Sequence, residues 1–120
     1  MKKILVVEDN ELNMKLFFDI LTYQNYEVFK AFDGLDAYQK IKSQNYDLII
    51  LDIKLPKLDG FYLIEKLQKE NINYPKIIIT SACATDVDKQ KAQALSISDY
   101  ITKPIDINNF IKIVNSYFEN

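Results

Sequence analysis

The sequence predicts an α/β protein built as a doubly wound, five-stranded parallel sheet between two layers of helix. Three observations carry that prediction. Short apolar runs alternate five times with longer segments of helical period. The central runs, Leu48 to Leu51 and Ile77 to Ile79, are apolar without a break, as strands covered on both faces must be. The chain of 120 residues suits one domain, and with 48% apolar and 27% charged residues it can bury a core without disulfide or metal staples.

The elements follow in order. The run ILVVE (4–8) reads as a strand, and Asn10 caps a helix beginning near Glu11. In that helix, LNMKLFFDILTY (12–23), the residues Leu12, Leu16, Ile20 and Tyr23 form an apolar stripe and are expected to face the core. Strand YEVFKA (26–31), helix GLDAYQKIKS (34–43) and strand DLIILD (47–52) come next. After them stand helix FYLIEKLQKE (61–70), strand KIIITS (76–81), a polar helix from Thr85 to Ala94 with few large apolar residues, and strand DYIT (99–102). The last helix, INNFIKIVNSYF (107–118), is capped by Asp106 and places Ile107, Phe110, Ile111 and Val114 at core spacing. Gly34 and Gly60 punctuate loops. No linker, low-complexity tract or internal repeat breaks the chain, so residues 1–120 are read as a single domain.

Several function classes are excluded or disfavoured. The formal net charge is −2 and the lysines are scattered among acids, so the electrostatic footprint of direct nucleic-acid binding is missing. There is no histidine, which removes histidine-based metal sites and catalytic triads. Cys83 is the sole cysteine; it is read as a packing residue with no redox role. No apolar stretch approaches the roughly 20 residues that span a bilayer, and MKKILVVEDN turns acidic after four apolar residues. A cytoplasmic protein without a signal peptide or membrane insertion is expected.

In open parallel α/β sheets, ligands bind beyond the carboxyl ends of the strands, where the strand order reverses. Here the first strand ends in Glu8 and Asp9, the third in Asp52, and the fifth runs into Lys103 and Pro104. The order 2-1-3-4-5 is taken over from the flavodoxin-like class rather than read from the residues; with it, the first and third strands adjoin and the three carboxylates meet. Two unit charges about 4 Å apart repel by roughly 4 kcal/mol at an effective dielectric near 20, so a cation is required among them. Hard oxygen donors without histidine or thiolate suit Mg²⁺, and Lys103 can bridge the remaining charge and a phosphoryl group. Asp52, a charge ending an apolar strand, is then a nucleophile toward phosphorus. Any one of these acids alone is better read as a helix cap or solvated loop residue; their convergence with a lysine outweighs that reading.

The segments VVEDN (6–10), DIKLPKLDG (52–60) and DYITKP (99–104), in this order across five β/α units, resemble the receiver domains of two-component response regulators over essentially the whole chain. The resemblance implies Asp52 as phosphoacceptor, Glu8 and Asp9 as the acidic pair, and Lys103 as the phosphate-contacting lysine. It implies Mg²⁺ held by Asp9, Asp52 and the backbone carbonyl of Lys54, with Glu8 acting through a water. It implies a switch hydroxyl in TSACA (80–84), chosen as Ser81 although Thr80 fits nearly as well, and Tyr100 as the aromatic switch. Within the family, VEDNELNMKLF (7–17) is similar to single-domain regulators of bacterial cell division and polar development. The implied partners are a sensor histidine kinase or a histidine phosphotransferase, and a downstream protein bound through the fourth helix, fifth strand and fifth helix. Two departures stand out: QALSISDY (93–100) lacks the glycine that often precedes the fifth strand, and the fourth helix is poor in large apolar residues.

Other readings stay in view. A constitutive protein-binding scaffold of the same fold needs no phosphoryl chemistry. An aspartate-nucleophile phosphatase of the haloacid dehalogenase type wants a second aspartate two residues after the nucleophile, where Lys54 stands. A flavodoxin-like cofactor carrier wants a phosphate-cradling loop after the first strand, where EDNELN (8–13) presents acids.

Overall fold

A computed structural model of the chain describes residues 1–82, 85–97 and 99–119. The reading of Cys83 lies outside the described residues. Ten elements alternate along the chain: β1 (Lys3–Val7), α1 (Glu11–Tyr23), β2 (Glu27–Ala31), α2 (Gly34–Ser43), β3 (Leu48–Asp52), α3 (Gly60–Lys69), β4 (Ile77–Ser81), α4 (Asp86–Ala94), β5 (Asp99–Thr102) and α5 (Ile107–Ser116). The strands form one parallel sheet in the order β2-β1-β3-β4-β5. The α/β class and strand order thus agree with expectation, and element boundaries agree to within two residues.

Strand alternation divides the core into two layers. Leu5, Val7, Ile49, Leu51, Ile77 and Ile79 pack toward Ala37, Ile41, Phe61, Ile64 and Leu67 of α2 and α3 and Ala92 of α4. Ile4, Val6, Leu48, Ile50, Ile78 and Ile101 pack toward Met14, Phe17 and Leu21 of α1 and Phe110 and Val114 of α5. The Phe17 and Phe110 rings meet at 5.3 Å and join the two helices of that layer.

The apolar stripe expected to bury α1 is wrong. Leu12 is 79% and Tyr23 85% exposed, Leu16 is also exposed, and Ile20 is half-buried. At 100° per residue, Met14, Phe17 and Leu21 share one face and Leu12, Leu16 and Tyr23 the opposite one. The three-residue connection 8–10 and the Asn10 cap, which accepts from the Asn13 amide at 2.9 Å, fix the rotation that turns Phe17 inward. In α5, Phe110 and Val114 are buried as expected, whereas Ile111 is only half-buried and Ile107, in the first turn, is exposed. Asp106 caps that helix through the Asn109 amide. The fourth helix buries only Ala92.

Gly34 opens α2, as the segment 34–43 led one to expect, and Gly60 proves to be the first residue of α3 rather than a loop residue; they follow the caps Asp33 and Asp59. Both lie against the loop after β3. A Cβ on Gly34 would meet the Leu58 carbonyl oxygen at 2.1 Å, and one on Gly60 would meet the Ile53 Cα at 2.7 Å. The chain's two glycines are therefore spent on holding the segment that follows Asp52.

Candidate phosphoryl-accepting site

The pocket is set by the ladder between β1 and β3. Val7 pairs with Leu51, and the next residue along the chain is an acid in both cases, Glu8 just past the end of β1 and Asp52 at the end of β3. Both are buried, 1% and 5% exposed, whereas Asp9, one residue further, is exposed. Each of the three offers a carboxylate oxygen within 4.8 Å of the others.

Lys103 arrives from the far side of β4 and supplies the expected positive charge. Its Nζ donates to Glu8 Oε1 at 2.5 Å and to Asp52 Oδ2 at 3.0 Å. Its backbone amide donates to the Ser81 carbonyl at 2.7 Å, and its peptide bond to Pro104 is cis. The second oxygen of each acid is engaged too: Asn10 N–H donates to Glu8 Oε2 and Lys54 N–H to Asp52 Oδ1, both at 3.0 Å. This last bond turns the backbone at residue 54 back over the carboxylate.

Burial pushes the Glu8 carboxyl above its ordinary value, outweighing the lowering effect of its bonds to Lys103 and Asn10. Burial acts downward on the Lys103 ammonium, but its bonds to Glu8 and Asp52 overcome that and the net shift is upward. Lys103 therefore stays charged.

The two hydroxyls left open by the sequence separate cleanly. Thr80 pairs with Asp52 across the ladder and belongs to the face that carries Ile78 and the α1–α5 layer; Ser81 belongs to the face of Ile77 and Ile79. Tyr100 pairs with Ile79 and packs against that same layer, half-buried. Ser81 and Tyr100 consequently share a face, and both hydroxyl-bearing residues of β4 are fully buried. One feature had no marker in the sequence: a groove of about 430 Å³ beside Lys103, bordered by Leu16, Phe17, Ala82, Pro104 and Ile105.

An acid-lined pocket bridged by a lysine lies at the carboxyl edge of a 2-1-3-4-5 sheet, and the chain belongs to the response regulator receiver domain family, whose model matches residues 4–115. The polar-differentiation response regulator DivK of Brucella ovis is 35% identical over 117 residues, 97% of this chain and 95% of that protein. The receiver domain of the Francisella response regulator 1452 is 33% identical with a TM-score of 0.90, covering 98% of this chain and 97% of the other. The receiver domain of a sensor histidine kinase from Pseudomonas aeruginosa, which holds a magnesium ion in its active-site cleft, is 30% identical with a TM-score of 0.85 over 97% and 96% of the two chains. The protein is thus a component of two-component signalling by phosphorylation, and the likeness to DivK extends well beyond residues 7 to 17.

Proposed function

We propose that the protein accepts a phosphoryl group onto Asp52 from a histidine kinase or phosphotransferase, and signals through phosphorylation-dependent binding of another protein. The observation that carries this is the Lys103 ammonium bridging Glu8 and Asp52 beside Asp9. Asp52 Oδ attacks phosphorus in line; the new P–O bond forms as the P–N bond of the donor's phosphohistidine breaks and the imidazole leaves with the electron pair. Lys103 turns its charge to the phosphoryl oxygens. The donor set fits Mg²⁺: Asp9, Asp52 and the Lys54 carbonyl would hold it, Glu8 through a water, and it would offset charge on the transferring group. The chain catalyses only its own phosphorylation and dephosphorylation, and turns over no metabolite.

Ser81 is the hydroxyl we assign to the phosphoryl contact, because it shares a face with Tyr100 and so can couple the pocket to α4, β5 and α5, the face proposed for a downstream target. A protein donor must dock around the pocket mouth. The exposed Leu12 and Leu16 of α1 and the groove beside Lys103 offer it an apolar contact there. The likeness to a polar-differentiation response regulator supports placing this chain in a pathway of that kind, for which we propose division control. No helix among the described residues is long and apolar enough to cross a membrane, which accords with action in the cytoplasm.

Incubation with acetyl phosphate and Mg²⁺, followed by intact mass, is expected to add one phosphoryl group to the wild type and none to Asp52→Asn. Equal labelling of the variant would overturn the assignment. A constitutive scaffold predicts partner affinity indifferent to beryllofluoride.

A further inference from the structure

One hydroxyl beside Asp52 has no work in the mechanism above. Among the described residues, two buried side-chain polar atoms lack a hydrogen-bond partner, the Tyr46 phenol and Thr80 Oγ1. Tyr46 packs against Phe29 in the layer of α2 and α3. Thr80 is different: it is 1% exposed and stands opposite Asp52 in the ladder. Residues paired across parallel strands about 4.8 Å apart project to the same side, so the Thr80 side chain neighbours that of Asp52.

The other β3 and β4 residues on this face, Leu48, Ile50 and Ile78, are aliphatic. Valine has threonine's shape and would fill the position without a buried, unpaired hydroxyl, which costs folding free energy. A partner supplied by another state of the pocket accounts for the threonine.

In the structure Asp52 Oδ2 accepts from Lys103 and Oδ1 from the Lys54 amide. Once one oxygen is esterified to phosphorus, Lys103 is drawn to the phosphoryl oxygens and the carboxyl group loses a donor. We infer that Thr80 is a positioning residue for phosphoryl turnover, its hydroxyl donating to the Asp52 carboxyl group in the phosphorylated state; this rests on the reading of Asp52 as phosphoacceptor. In hydrolysis a water oxygen attacks phosphorus, the P–Oδ bond breaks, Asp52 leaves with the electron pair as a carboxylate, and both water protons end on inorganic phosphate. Negative charge thereby returns to the carboxyl group. A hydroxyl pointed at it lowers the barrier.

The test phosphorylates wild type, Thr80→Val, Thr80→Ala and Thr80→Ser with acetyl phosphate and Mg²⁺, removes the donor, and follows loss of the phosphoryl mass. Both variants without the hydroxyl are expected to hold the phosphoryl group about three- to tenfold longer, the loss of part of one charge-assisted hydrogen bond. Thr80→Ser is expected to restore the wild-type lifetime. Without donor, Thr80→Val should melt a few degrees higher than wild type. Lifetimes of Thr80→Val and Thr80→Ala within twofold of wild type, or failure of serine to rescue, would overturn the inference while leaving Asp52 in place. A wild type that takes up no phosphoryl group would overturn the phosphoacceptor reading itself, and the inference with it.

Discussion

Burial is the largest influence on Glu8, a carboxyl 1% exposed at the end of β1, and it raises the group's pKa despite donors on both oxygens. A carboxyl that holds its proton more tightly folded than unfolded stabilises the fold fully only below its ordinary value of 4.5, and that contribution is lost as pH rises through the folded value. In the absence of divalent cations, the unfolding free energy of wild type minus that of Glu8→Gln should therefore increase as pH is lowered from about 7 toward 4.5. Parallel urea titrations of both proteins check this, and a difference that stays flat or falls contradicts it. The pocket residues were legible because an acid ending an uninterrupted apolar strand is conspicuous, as at Asp52, and because Lys103 stood where a counter-charge was needed. The choice between Thr80 and Ser81 was not legible: in a strand buried on both faces, apolar neighbours do not say which way either side chain points. Only the ladder with Asp52 and Ile101 separates them.

Helix ends show how one missing residue type is replaced. Three helices finish on a non-glycine residue with positive φ: Asn25 (69°) after α1, Asn71 (55°) after α3 and Ser96 (66°) after α4. In each case the next amide reaches back five residues, Tyr26 to Leu21, Ile72 to Leu67 and Ile97 to Ala92, closing the Schellman motif. Asparagine tolerates this backbone well; serine does so less readily, and Ser96 stands where the sequence lacked the expected glycine. Ser96→Gly is accordingly expected to stabilise the protein by about 0.5–1 kcal/mol, read from denaturant unfolding, since the relief of left-handed strain exceeds the added chain entropy. A destabilised variant would mean that Ser96 is held by something stronger than its backbone bonds. Helix α1 marks the limit of sequence reading at this scale. It carries apolar residues on two opposite faces, and periodicity alone cannot say which one the sheet takes; the bulk of Phe17 against Phe110 decides it. Leu12, Leu16 and Tyr23 are left on the solvent side.

At the scale of the whole molecule, the pocket exists only when the sheet is complete. Its charges come from the ends of β1 and β3 and from the segment after β5, residues 8–9, 52 and 103, which the 2-1-3-4-5 order brings together from distant parts of the chain. An unfolded chain holds no such cluster, so a ligand of the pocket binds the folded state alone and stabilises all of it. At a free Mg²⁺ concentration ten times its dissociation constant the gain is about 1.4 kcal/mol, which for a chain of this size raises the melting temperature by several degrees. Sodium at matched ionic strength should not reproduce it, because screening weakens the repulsion of exposed charges but leaves the buried Glu8 and Asp52 close together. Asp9→Asn is the discriminating variant: Asp9 is exposed and lies outside the Lys103 bridge, so the change leaves the core intact while replacing a charged carboxylate of the cluster by a neutral amide. The melting temperature of wild type is therefore expected to climb with Mg²⁺ and then saturate, and that of Asp9→Asn to remain nearly level over the same range. If both rise alike, the cation is acting on the protein's general charge and not on this pocket; if neither rises, Lys103 alone neutralises the acids, and the charge on a transferring phosphoryl group would have to be met without a metal.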